Sequence, residues 1–343
     1  MTAASPAAVA PDATLFRLLG TVIGQARTTW ALTTLFIDPA LAGNEEKPNR
    51  AHIAMALNAA LFVDLIDRVP TAGHYVCAMR ERGEAIVFDH GALRTIEGDC
   101  GALPPGYGAF ARFLQPLGYD VRGVYPLPAL KMTGRALVQR DFPETIPQFF
   151  VSELHVAELP EEAQRAAENV FGASTDPLGV VEWSALDALA REGECFMIEA
   201  ATILRGALRA FGRQHPVPAW SDYETLLAHS KEAAWIATEG NAFNHATTRV
   251  TDVIELAHQL KDAGYPLKPS VEVSQNGRVR QTAILADKVS RAFRMPDGSE
   301  GMKEVPGSFY EFITRDLDPA TGTLDLTFDS GNATGIFAVT RDQ

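Results

Sequence analysis

Two histidines and one glutamate have the types and placement that a divalent-metal site requires. His90 and His245 each follow a short β-prone run, and Glu311 lies in another such run. A mononuclear Fe(II) oxygenase site uses two imidazoles and one carboxylate on one face of the metal, which leaves positions open for substrate and oxygen. We therefore take these three residues as candidate ligands and Fe(II) as the candidate metal, with Zn, Mn, Ni or Co as alternatives that suit the same donor atoms.

A weak internal repeat supports this grouping. Residues 84–159 and 240–343 can each be written as a strand, a helix and three further strands. An arginine follows four residues after His90 and again four residues after His245. The pattern predicts an α+β fold in which two paired βαβββ modules form one cup, whose first and last strands hold the metal.

The repeat also predicts a fourth side chain in the cup. His155 follows His90 by 65 residues, and Glu311 follows His245 by 66 residues. His155 would then occupy the position equivalent to Glu311, with Glu153 two residues earlier on the same strand face. We expect His155 to contact the substrate or to hydrogen-bond a ligand, the alternative being a plain buried role.

The remaining sequence predicts helices that surround the cup. Residues 1–83 form a tail and amphipathic helices, and residues 160–239 form a helical insertion between the modules at 84–159 and 240–343. Together these segments would form one compact catalytic unit. Met1–Asp12 lacks the features of a secretion signal, so we interpret it as a mobile tail.

Composition narrows the class of protein and of partner. The net charge of −13 disfavours nucleic acid, and no apolar run is long enough for a membrane helix. The three cysteines, Cys77, Cys100 and Cys195, have no metal-binding spacing and fit a reducing cytoplasm. A small anionic substrate remains compatible with this charge, because one or two arginines can dominate inside a pocket. The oligomeric state is left open.

Three segments resemble those of the DUF1338 family, which includes the 2-oxoadipate dioxygenase/decarboxylase also called hydroxyglutarate synthase. They are Phe88–Thr95, Gly240–Arg249 and Phe309–Arg315, and the resemblance runs from about Glu84 to Phe337. The family's fold is related to the vicinal oxygen chelate superfamily of glyoxalases and extradiol dioxygenases. By this resemblance His90, His245 and Glu311 are the metal ligands, and Arg94 holds a substrate carboxylate.

The resemblance implies a reaction in lysine catabolism, in which 2-oxoadipate and O2 give 2-hydroxyglutarate and CO2 at Fe(II). The chain is shorter than the enzymes whose reaction is assigned, which carry extra C-terminal sequence that lines the pocket. Two alternatives follow. One is a glyoxalase-like isomerase or lyase, in which His155 or Glu153 is a fourth ligand to a Lewis-acid metal. The other is a non-catalytic metal or small-acid binding protein.

Two more polar side chains are candidates for the pocket. Arg94 would anchor a carboxylate through paired, charge-assisted hydrogen bonds. Its alternative is an ordinary salt bridge to Glu97 or Asp99. Gln281 lies on a predicted inner strand and would be a substrate-binding residue, unless it merely lies on a polar strand surface.

Arg249 and several aromatic residues have less specific roles. Arg249 is either a second anchor or a residue at the start of a helix that pairs with Asp252 and Glu255, and we favour the pairing. The aromatic side chains of the second module are expected to form the wall or core: Phe309, Phe328 and Phe337.

Overall fold

The computed structural model describes residues 9–329, which form eleven α-helices and ten β-strands. The helices are α1 (Thr14–Ile23), α2 (Gln25–Thr34), α3 (Arg50–Arg68), α4 (Pro70–Glu81), α5 (Gly108–Leu114), α6 (Glu161–Phe171), α7 (Val180–Glu192), α8 (Met197–Ala210), α9 (Trp220–His229), α10 (Lys231–Glu239) and α11 (Val253–Asp262). The strands are β1 (Phe88–Glu97), β2 (Tyr119–Leu127), β3 (Met132–Gln139), β4 (Gln148–His155), β5 (Phe243–Arg249), β6 (Glu272–Val273), β7 (Val279–Ile284), β8 (Lys288–Arg294), β9 (Glu300–Pro306) and β10 (Phe309–Arg315). Most of the predicted tail and Phe337 lie outside the described residues.

Eight strands form one sheet that contains both modules. The strand order is β2-β3-β4-β1-β5-β10-β7-β6, so the β1–β4 module and the β5–β10 module have the same order outward from their shared boundary. β1 and β5 pair antiparallel at that boundary, and each first strand pairs parallel with the last strand of its own module. The predicted pair of βαβββ modules is confirmed.

One part of the second module differs from the predicted pattern. β8 does not join the large sheet but pairs with β9, a strand that the pattern missed, in a separate hairpin. Phe293 of this hairpin packs against Trp220 and Tyr223 of α9. The hairpin is therefore an insertion between β7 and β10 that is fixed to the helical block.

The two faces of the sheet bury different residues. Leu93, Phe149 and Val151 pack with the N-terminal helices and α8 in the main hydrophobic core. Ala92 and Phe150 face the opposite side, which is the inside of the cup. Since neighbouring residues of a strand point to opposite faces, His90 and Arg94 share the inner face with Ala92.

Three helices of the helical block, α6, α9 and α10, lie against the same side of the sheet as Arg94. Trp235 of α10 belongs to a second apolar core, together with Leu154 of β4, and its indole donates to the carbonyl of Gly307. Ser230 separates α9 from α10 and caps α10 by accepting from the backbone of Ala233. None of the described helices has the length and apolar character needed to span a membrane.

Candidate metal centre

His90, His245 and Glu311 converge inside the cup. One donor atom from each lies within 4.8 Å of the other two, and all three residues are buried. His245 Nε2 is 3.4 Å from a Glu311 carboxylate oxygen. The hydroxyl of Thr247 lies 3.1 Å from His90 Nε2 and 3.2 Å from the same carboxylate group, so these donor atoms surround one point.

Each histidine follows a β-bulge. In the pairing of β1 with β5, Asp89 is an extra residue on β1 and Asn244 is an extra residue on β5. A bulge of this kind bends the strand locally and redirects the neighbouring side chains. Asp89 Oδ1 lies 2.8 Å from His90 Nδ1, and the Asn244 amide lies 3.2 Å from His245 Nδ1.

These contacts leave the Nε2 atoms available to a metal. His90 Nδ1–H donates to Asp89, which makes Nε2 the lone-pair nitrogen that faces the cup. The Asn244 carbonyl oxygen has no hydrogen bond within the described residues. Rotating the Asn244 side-chain amide by 180° places this oxygen next to His245 Nδ1, where it accepts a hydrogen bond from Nδ1–H. A metal bound to Nε2 requires that proton on Nδ1.

A glycine completes the local packing around the boundary strands. A Cβ at Gly91 would lie 2.1 Å from the ring of Phe243, so no larger residue fits there without displacing that ring. Phe243 begins β5, two residues before His245. The position of the second histidine therefore depends on the absence of a side chain at residue 91.

Burial makes the cup favourable for a cation. It lowers the pKa of both His90 and His245, so both imidazoles are neutral, as a metal ligand must be. It also raises the pKa of Glu311 to about 8, because the carboxylate is desolvated and Lys268 supplies only part of the compensating positive charge. A divalent ion between these atoms would provide that charge.

The donor set fits a divalent metal. Atoms bound to one ion at about 2.1 Å lie about 3.0–3.4 Å from each other, and the His245–Glu311 separation of 3.4 Å is in that range. Two imidazole nitrogens and one carboxylate suit iron, zinc or a similar borderline metal rather than calcium or magnesium. The three residues are therefore able to hold such an ion.

The fourth position of the cup is a phenylalanine. Glu311 is paired with Thr247, two residues after His245, and the equivalent pair in the first module is Phe150 with Ala92, two residues after His90. A phenyl ring cannot coordinate a metal. The described protein ligands therefore occupy one side of the site.

The expectation that His155 and Glu153 reach the cup is corrected. Both point to the opposite face of β4 from Phe150, because they differ from it by an odd number of residues. His155 contacts Glu97 and Thr133, and Glu153 accepts from the backbone of Tyr107. The near-equal spacings in the sequence did not reflect equivalent positions, because the connecting segments of the two modules differ in length.

Arg94 lies deep in the cup and is not paired with Glu97 or Asp99 as the alternative had it. Its side chain is fully buried, and its guanidinium lies 5.1 Å from the centre of the Trp235 ring. Burial lowers its pKa to about 10, and the nearby Glu232 opposes that shift. A desolvated guanidinium on the same face as His90 is favourable for an anion in the cup.

The contacts of Arg249 and Gln281 can be compared with the roles predicted for them. Arg249 donates to the carbonyl of Glu144 and lies 3.8 Å from Asp89, so its expected pairing with Asp252 and Glu255 is wrong. Asp252 instead caps α11 with its own side chain. Gln281 lies on the same sheet face as Glu311, and its amide donates to Glu272.

The segment after β10 contacts His90 through Phe328. The Phe328 ring lies edge-on to His90, with 4.9 Å between ring centres, and also 4.9 Å from Phe150. The Phe328 amide donates to the hydroxyl of Tyr125, and its ring covers the Arg315 guanidinium. Phe328 is therefore a wall of the site.

Arg315 connects this segment to the histidine. Its Nε and Nη2 donate to Asp89 at 3.0 Å, and its Nη1 donates to the carbonyls of Asp325 and Thr327 at 2.9 Å. Both side chains of the Arg315–Asp89 pair are fully buried. One guanidinium thus fixes both the residue that orients His90 and the segment that covers it.

Sequence reasoning missed several residues that contact or face the site. Asp89 directly precedes His90, and an acidic neighbour is a usable signal for an oriented histidine ligand. Gln148 lies beside His90 in the pairing of β4 with β1, and only the register reveals this. Lys268 acts electrostatically on both His245 and Glu311, and it lies in an irregular segment where no pattern pointed to it.

The fold and the candidate metal site place the chain in the glyoxalase-like fold class. A crystal structure from Ralstonia eutropha, assigned to the glyoxalase superfamily, is 46% identical and superimposes with a TM-score of 0.88 over 92% of this chain and 98% of that one. A profile described as 2-oxoadipate dioxygenase/decarboxylase matches residues 59–319. The chain belongs to that family.

Named relatives agree with this assignment. The 2-oxoadipate dioxygenase/decarboxylase of Oryza sativa, described as chloroplastic/amyloplastic, is 26% identical over 81% of this chain and 76% of its own length. The structure of the hydroxyglutarate synthase from Oryza sativa in complex with 2-oxoadipate has a TM-score of 0.66 at 22% identity, over 85% of this chain and 93% of that one. At 22% identity, this structural similarity shows the fold alone.

Proposed function

We propose that the chain is an Fe(II)-dependent dioxygenase/decarboxylase that converts a 2-oxo dicarboxylic acid, such as 2-oxoadipate, and O2 into a 2-hydroxy acid and CO2. The observation that carries the proposal is the buried convergence of His90, His245 and Glu311 in a member of this family. The complex of the rice relative with 2-oxoadipate supports the substrate class. Cytoplasmic location remains part of the proposal.

The three ligands would leave one side of the metal to the substrate. A bound Fe(II) would supply the redox chemistry with O2 and adjacent sites for the oxygens of a 2-oxo acid. Asp89 and the Asn244 amide hold the two imidazoles with Nε2 toward the ion. This geometry exists before substrate binds, so little reorganisation is needed in the reaction.

The polar and apolar walls of the cup are proposed to have different roles. Arg94 is proposed to bind a carboxylate of the substrate, with Gln281 as a polar contact on the opposite module. Ala92, Phe150 and Phe328 form the apolar wall beside His90 and exclude water from it. Exclusion of water strengthens the electrostatic contacts and protects reactive species from side reactions.

The glyoxalase-like alternative has less support. Isomerases of that kind usually use a fourth protein ligand, and the position equivalent to Glu311 is Phe150 in this chain. His155, which the alternative required, points to the other face of the sheet. Within residues 9–329 no further ligand joins His90, His245 and Glu311, and this suits a reaction in which both a 2-oxo acid and O2 must approach the metal.

Anaerobic loading with Fe(II), followed by oxygen-uptake assays on a panel of C4 to C8 2-oxo acids, tests the proposal. We expect oxygen consumption with at least one dicarboxylic member and release of one CO2 per O2. Bound iron without oxygen consumption for any acid would contradict it. Turnover of a thiol adduct without oxygen would support the isomerase instead.

A further inference from the structure

Gln148 is a buried amide that the proposed reaction does not yet use. It begins β4, is 1% exposed, and pairs in register with His90 of β1. Neither its carbonyl oxygen nor its amide nitrogen has a hydrogen-bond partner within residues 9–329. A buried polar group without a partner destabilises a protein, so such a group calls for a functional explanation.

The direction of the side chain follows from the strand pairing. Residues that pair between adjacent strands share a face, and Phe150, two residues further along β4, lies in the cup with Ala92. Gln148 therefore faces the cup beside His90. By the equivalence of the two modules it corresponds to Phe309, whose ring lies 4.9 Å from that of His245.

The chemistry of an amide at this point is specific. Ala92, Phe150 and Phe328 offer no hydrogen bond to a polar ligand, and the Thr247 hydroxyl on the β5 side of His90 already contacts His90 and Glu311. An amide N–H donates to a carboxylate or keto oxygen without adding charge to a site that already contains Glu311. The donor would thus recognise the oxygen-rich end of a ligand held next to the histidine.

We propose that Gln148 is a substrate-binding residue that donates its amide N–H to an oxygen of the 2-oxo acid head group beside His90. This inference rests on the proposed function, since that function supplies the ligand. It gives Gln148 a role distinct from that of Arg94, which lies four residues beyond His90 and nearer to α10.

The inference makes an unusual stability prediction. Replacement of an unpartnered buried amide by an apolar side chain of similar shape should stabilise the substrate-free protein, whereas loss of a satisfied structural amide should destabilise it. We expect Gln148→Met to raise the melting temperature of the metal-free protein by about 2–5 °C. It should also weaken binding of 2-oxoadipate by about tenfold or more, with metal content unchanged.

Gln139→Met is the matched control. Gln139 is also buried on a strand, but its amide bonds to Asp141 and to the backbone of Leu117 and Phe142, away from the cup. This variant should lower the melting temperature and leave the dissociation constant for 2-oxoadipate unchanged.

The experiment is calorimetric titration of 2-oxoadipate into anaerobic Fe(II)-loaded protein, together with thermal unfolding of each metal-free variant. A lower melting temperature with unchanged affinity in Gln148→Met would overturn the inference and leave the proposed function standing. Absence of binding and of oxygen uptake in the wild-type protein would overturn the proposed function, and this inference with it.

Discussion

Asp89 and Asn244 occupy equivalent bulges of the two central strands, and each presents its side chain to Nδ1 of the histidine that follows. The bulge matters because a regular strand would turn the side chain preceding an inward histidine to the opposite face. The extra residue allows both to act on one imidazole. The two modules thus have the same bulge before the histidine, with the charged Asp89 as its partner in the first module and the neutral Asn244 in the second.

Asp89→Asn should weaken metal binding. The amide lacks the negative charge that favours a proton on His90 Nδ1, and it removes the buried charge that Arg315 is paired with. Loss of such an orienting residue typically lowers metal affinity about 10- to 100-fold. Competition with a chelating dye measures the affinity for the metal.

Asp176→Asn provides the comparison for loss of an ion pair. Asp176 accepts two hydrogen bonds from Arg112 at 2.6 Å, and neither residue lies on a strand that carries a metal ligand. This variant should be less stable but should retain wild-type metal affinity. Equal affinity losses in both variants would mean that Asp89 acts only through stability.

Phe150→Glu should fill the open side of the metal. The substitution places a carboxylate at the position equivalent to Glu311, where a fourth ligand is expected to keep metal bound but to compete with the substrate. Oxygen uptake should fall by at least about tenfold, since each 1.4 kcal/mol of competition corresponds to a factor of ten. Metal content and oxygen uptake are the two measurements.

Phe150→Leu tests whether loss of the ring alone explains that result. Leucine keeps the position apolar and cannot coordinate, so this variant should bind metal and still consume oxygen. Equal loss of oxygen uptake in the two variants would argue against the assignment of residue 150 to the fourth position.

Arg315→Lys should release the segment that covers His90. A lysine cannot donate to Asp89 and to the carbonyls of Asp325 and Thr327 at the same time. Amide hydrogen exchange in residues 324–329 should therefore become faster, while exchange in β3 stays slow.

Arg280→Lys is the control for that experiment. Arg280 also donates two hydrogen bonds to one carboxylate, that of Asp316 at 2.7 Å, but this pair lies at the surface. We expect wild-type exchange in residues 324–329. An unchanged rate in the Arg315 variant would contradict the connection between Arg315 and the segment.

His215 should make stability depend on pH. Burial lowers its pKa to about 4, while its Nδ1–H donates to the carbonyl of Pro216. Between pH 6.5 and 4 the unfolded chain binds the extra proton, so the free energy of unfolding falls as pH decreases. The full effect is about 3 kcal/mol, reached below pH 4. Denaturant unfolding at pH 7 and pH 5 should show a smaller loss in His215→Gln, and an equal loss would contradict the assignment.

The sequence predicted the modules well because their signals are local. Alternating apolar runs and the motifs around His90 and His245 mark the first strands. Features that depend on pairing register were not predictable: the bulges at Asp89 and Asn244, and the placement of Phe150 rather than His155 opposite the metal. A shift of one residue reverses a strand's faces, so counting along the chain could not decide which β4 side chain enters the cup.

The central claim is that His90, His245 and Glu311 hold one divalent ion, and metal stoichiometry tests it most directly. Protein loaded anaerobically with Fe(II) and freed of excess metal should contain one iron per chain in the wild type and in His155→Ala. It should contain almost none in His245→Ala and Glu311→Gln, with all variants folded by circular dichroism. Wild-type iron content in His245→Ala, or loss of iron in His155→Ala alone, would contradict the account.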